Sequence, residues 1–189
     1  MSAHVMTKRT EEASPRLRAR IAGVFYLLTI LTGAFAVVSV SGRLAANLIA
    51  TACYIGVTLL FYDMFKPVNR SISSLAASFG FVGCASGALS SFHLAPAHIN
   101  PLVFFGFYCL LIGYLIFRST FLPRILGVLM AFGGLGWLTF VSPPLANDLS
   151  PYNMAPGILG EGSLTLWLLV MGINVQRWKE QASRAGVGA

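Results

Sequence analysis

The feature that most limits what this chain can fold into is a series of six apolar runs, at 21–40, 44–62, 72–92, 101–117, 123–141 and 157–174. A helix rises about 1.5 Å per residue, so about 20 apolar residues cross the roughly 30 Å of bilayer hydrocarbon. Every run comes close to that length. None of the first five holds an acidic residue, whereas the sixth holds Glu161. Only 10% of the residues are charged, against about 25% in an ordinary soluble domain. The sequence therefore predicts an all-α fold, an integral membrane bundle of six transmembrane helices. A basic N-terminal tail (1–20) leads into one transmembrane domain (21–178), and a short tail (179–189) follows. The run at 21–40 exceeds the roughly 7–15 apolar residues of a cleaved signal, so it reads as an uncleaved first helix.

The charge distribution sets the expected orientation. Net charge is +7, from 13 Lys+Arg against 6 Asp+Glu, but the basic residues cluster between apolar runs, which fits membrane orientation and not a nucleic-acid surface. With both termini cytoplasmic, Lys8, Arg9, Arg16, Arg18, Arg20, Lys66, Arg70, Arg118, Arg124, Arg177, Lys179 and Arg184 all fall inside, and Arg43 alone falls outside. Only an even number of spans gives this asymmetry. Lys66, Arg70, Arg118 and Arg124 read as topology anchors or partners of lipid headgroups. The outer connection at 142–156, with its four prolines, reads as an ordered loop, and 181–189 as a frayed tail.

Membrane helices associate through close backbone approach, which favours small residues four apart. Gly80 with Cys84, Gly83 with Gly87, and Gly127 with Ala131 supply such faces, for packing within the chain or between copies. Cys53, Cys84 and Cys109 sit mid-run and read as small apolar groups. Laying 59–65 on 111–117 and 72–83 on 125–136 matches Phe65 with Phe117 and Gly80 with Gly133. This suggests a parallel duplication, with helices two to five as the core and one and six as flanks.

Among candidate functional residues, Glu161 stands first, because a carboxylate within a span is expensive and normally faces the bundle interior or a wet cavity. Thr165 and Gly172 continue its face. A structural role at the interface is the competing reading, since the sequence places Glu161 only about 6 Å from the outer end of its helix. His93 and His98 lie on the same outer side. Two histidines and a carboxylate are zinc-ligand types, but the intervening proline breaks any regular spacing, and no metal is expected. Phosphate loops, nucleophile elbows and His-Glu-x-x-His motifs are absent, and no cofactor is implied.

Three stretches resemble a known family: Arg20-Ile-Ala-Gly-Val-Phe-Tyr-Leu-Leu-Thr, the segment Gly113 to Gly127 with its Arg-Ser-Thr-Phe-Leu-Pro-Arg turn, and Leu159-Gly-Glu-Gly-Ser-Leu-Thr-Leu-Trp-Leu-Leu. They are similar to a bacterial multi-pass membrane family filed as domain of unknown function 4386. The resemblance implies a six-helix bundle in the bacterial cytoplasmic (inner) membrane, and it transfers no catalytic residue. The leading expectation is a non-catalytic protein, in contact with membrane lipids, that binds a small or lipidic ligand in an outward-facing pocket near Glu161, Thr165, His93 and His98. Transport of a small solute or proton is the alternative, and a metal-assisted membrane enzyme a further one.

Overall fold

A computed structural model describes residues 14–94 and 100–186. The long helices are α1 (Pro15–Val38), α2 (Arg43–Phe65), α3 (Arg70–Ser91), α4 (Pro101–Arg118) and α5 (Arg124–Leu138). After them come a six-residue helix α6 (Pro143–Asp148), α7 (Ala155–Val170) and α8 (Val175–Arg184). Local chemistry sets several of the starts. The side chains of Ser14, Asn69, Asn100 and Asn174 accept from backbone N–H groups of the first turns of α1, α3, α4 and α8, which satisfies donors a helix start leaves free. Proline at the first positions of α1, α4, α6 and α7 loses no hydrogen bond there.

Five segments are long and apolar enough to cross a membrane: α1 to α4, and Arg124–Val141, which is α5 with one further turn. A sixth, Tyr152–Val170, qualifies only together with Val175–Arg184, from which it is bent by 106°. Each long helix packs on the next, and α7 packs between α5 and α1 and closes the ring. The surface is apolar, with Leu31, Val38, Ile125, Ile158, Leu166 and Val170 all more than half exposed. The interior carries Tyr26, Tyr54, Tyr108, Thr58, Glu161 and Thr165. Apolar outside and part-polar inside inverts a soluble fold and matches a lipid solvent.

Backbone contact joins α4 to α5. A methyl group on Gly127 would lie 2.6 Å from the Gly113 carbonyl oxygen, and one on Gly113 would lie 2.7 Å from that of Gly127. Only glycine lets these two helices touch.

Several expectations change. Helices one and six are not flanks, because α1 and α7 complete the ring and supply Tyr26 and Glu161 to its centre. The duplicated positions also differ in setting, with Phe65 fully buried and Phe117 47% exposed. The connection at 142–156 is largely helical, since Pro143 opens α6 and Pro156 lies in the first turn of α7. Helix α7 stops at Val170, so Gly172, at φ +68°, does not continue the Glu161 face. Residues 181–184 belong to α8 instead of fraying. Gln181 accepts from the Thr120 N–H and hydroxyl at 3.1 and 3.0 Å, and the Trp178 indole donates to the Met64 carbonyl at 3.0 Å.

Candidate functional site

Helix α7 turns one clean face inward. Gly157, Gly160, Glu161, Leu164, Thr165 and Leu168 are buried, at the three- and four-residue spacings that put side chains on one side of a helix. Because the helix begins at Ala155, after a short turn at Tyr152–Met154, Glu161 lies near the middle of the segment 152–170. The carboxyl meets groups from two other helices, near the end of α5 and in the middle of α4. The Trp137 indole N–H of α5 donates to Glu161 Oε1 at 2.6 Å, and the Cys109 thiol of α4 donates to the same oxygen at 3.6 Å. The Tyr26 hydroxyl of α1 lies beside this carboxyl without closing a hydrogen bond.

The indole reaches Glu161 because Gly157, one turn earlier, leaves it room. A methyl group on Gly157 would overlap two carbons of the Trp137 indole ring. Gly157 and Glu161 thus form one seat, the first for the ring and the second for its N–H.

Behind the carboxyl lies an aromatic layer. The Tyr26 and Tyr54 rings meet edge-on at 5.7 Å between centroids, and the Tyr54 and Tyr108 rings are tilted at 5.5 Å. A ring of six helices holds opposite backbones too far apart to touch, and these large side chains fill the middle. Polar groups in such a place normally find partners. Here the hydroxyls of Tyr26, Tyr54, Tyr108 and Thr165 are buried with no hydrogen-bond partner among the described residues. No Lys, Arg or His among the described residues pairs with Glu161, the one ion pair there being the exposed Lys66–Asp63 at 3.6 Å.

The other singled-out residues lie elsewhere. Thr165 is buried one turn beyond Glu161. His93 is exposed at φ +59°, just past the end of α3, and His98 lies outside the described residues. Among the described residues, no three His, Cys, Asp or Glu side chains come together as metal ligands. Arg70 opens α3, Arg118 ends α4, and Arg124 starts α5 with its guanidinium 5.7 Å from the Phe117 ring centre.

Sequence reasoning missed Trp137, Cys109, Tyr26, Tyr54 and Tyr108. A signal for two of the tyrosines was present: interfacial aromatics belong at the ends of spans, and Tyr54 and Tyr108 stand mid-run.

The model of the domain of unknown function DUF4386 matches residues 97–172. An uncharacterized protein of Archaeoglobus fulgidus is 30% identical over a region covering 61% of this chain and 75% of that relative. The chain belongs to the DUF4386 family. No solved structure matches it. The DUF4386 match includes Cys109, Trp137 and Glu161, while Tyr26 and Tyr54 come from the helices that precede it.

Proposed function

We propose that this DUF4386 protein is a non-catalytic protein of the cytoplasmic membrane, with both ends of the chain on the cytoplasmic side. Its working centre is Glu161, which binds a small cationic or hydrogen-bond-donating ligand, down to the size of a proton, inside the bundle. One observation carries this reading: an interior carboxyl that has hydrogen-bond donors on one oxygen, no cation, and four partnerless hydroxyls in the surrounding core. A buried carboxylate without a counter-charge is costly. A proton or a small cation at Glu161 removes that cost, so the bundle is more stable with its ligand than without it.

Binding is favoured over transport by the arrangement of the polar groups. Tyr26, Tyr54, Tyr108, Cys109 and Glu161 all lie near the middle of their helices and form one layer, not a file from face to face. The burial of Glu161 and the exposure of His93 support a ligand held at Glu161 in the interior instead of in an outward-facing pocket.

The test is thermal unfolding in lipid nanodiscs between pH 5 and 9, with and without sodium or tetramethylammonium chloride, for wild type and Glu161→Gln. The expected result is a melting temperature that varies with pH or cation in wild type and loses that variation in Glu161→Gln. Equal dependence in both proteins would contradict the reading.

A further inference from the structure

At the end of the bundle that carries most of the basic residues, α8 lies across the turn between α4 and α5 and encloses an open groove of about 830 Å³. Its floor includes Ser119 and Leu122, which are buried. Its walls carry three guanidinium groups, Arg124 from the start of α5 and Arg177 and Arg184 from α8, against one carboxylate, Glu180. Glu180 forms no ion pair with them among the described residues, and its side chain accepts from Gln176 at 3.3 Å. Arg177 is held in place by donating to the Thr120 carbonyl at 3.4 Å. Among the described residues the side chains of Arg124 and Arg184 make no hydrogen bond or ion pair, and the Arg124 guanidinium lies over the Phe117 ring.

Two features make this more than a scatter of surface charge. The groove is built, because α8 is fastened by Gln181 on Thr120 and by Trp178 on the Met64 carbonyl. It also lies at the end of the bundle, where α8 turns away from α7 by 106°. Arginine is the side chain suited to phosphate, since its planar fork donates two parallel hydrogen bonds.

We propose that this groove binds a phosphate group, with Arg124 and Arg184 as its main donors and Arg177 as a fixed wall. The phosphate belongs either to an anionic lipid headgroup or to a soluble phosphate compound, and the inference does not depend on the role of Glu161. The test compares wild type, the double variant Arg124→Gln/Arg184→Gln, and a control double variant Arg16→Gln/Lys179→Gln, which removes two exposed charges from the same end outside the groove. Thermal unfolding first establishes that all three are folded. Phosphatidylglycerol and phosphatidylcholine are then titrated in detergent and read by native mass spectrometry. Pyrophosphate is titrated separately into phosphatidylcholine nanodiscs and read by calorimetry.

The groove variant is expected to lose affinity about tenfold or more, as two surface arginines would supply, with the control within about threefold of wild type. Loss confined to phosphatidylglycerol identifies a lipid headgroup, and loss confined to pyrophosphate identifies a soluble phosphate. The proposal is overturned if groove and control variants lose affinity equally, or if neither probe distinguishes the groove variant from wild type.

Discussion

At the scale of single residues, the account rests on the contact between Trp137 and Glu161. Trp137→Phe keeps most of the ring and removes the N–H, leaving the carboxyl short of its closest donor. It should lower stability by about 1–3 kcal/mol, measured by unfolding in nanodiscs. Gly157→Ala should produce a loss of similar kind, because its methyl occupies the space of the indole. The two losses should not add in the double variant, since both break one contact. Glu161 was legible in the sequence as a lone carboxylate in an apolar run. Its partners were not, because the residues that meet it lie 24 and 52 positions away and no local pattern links them. Cys109 shows the same limit: composition identifies it as small and apolar, and only the fold puts its thiol on a carboxylate.

At the scale of elements, the long helices were readable from hydropathy, and their ends were set by capping that hydropathy does not register. The apolar run beginning at 21 omits the first six residues of α1, which starts at Pro15 behind the Ser14 cap. The prolines of 142–156 were read as helix breakers, although proline in a first turn starts a helix as readily as it ends one. Glycine content shows which helices must touch. Gly127→Ala should cost about 1–3 kcal/mol, because the added methyl meets the backbone of α4. Gly162→Ala, on a face of α7 with nothing within 4 Å, should be neutral or stabilise by about 0.5–1 kcal/mol. Denaturant unfolding of the two variants side by side checks the pair, and equal effects would mean that α4 and α5 do not approach as described.

At the scale of the whole molecule, charge asymmetry and ring closure make separate demands on α7. The orientation proposed from the basic residues requires an even number of spans. That orientation needs α7 as the sixth span, and α7 reaches from Gly157 against Trp137 at one end to the Val170 carbonyl, which accepts from Arg20 at 3.3 Å, at the other. Reporter fusions at both termini should therefore read cytoplasmic, and insertions at 41–43 and 142–156 should read external. Opposite readings for the two termini would remove α7 from the spans. The most direct test of the central claim is infrared difference spectroscopy of the nanodisc-held protein on changing pH. The account predicts a carboxyl band that is present in wild type, shifted in Trp137→Phe and absent in Glu161→Gln. A wild-type spectrum with no band lost in Glu161→Gln would contradict it.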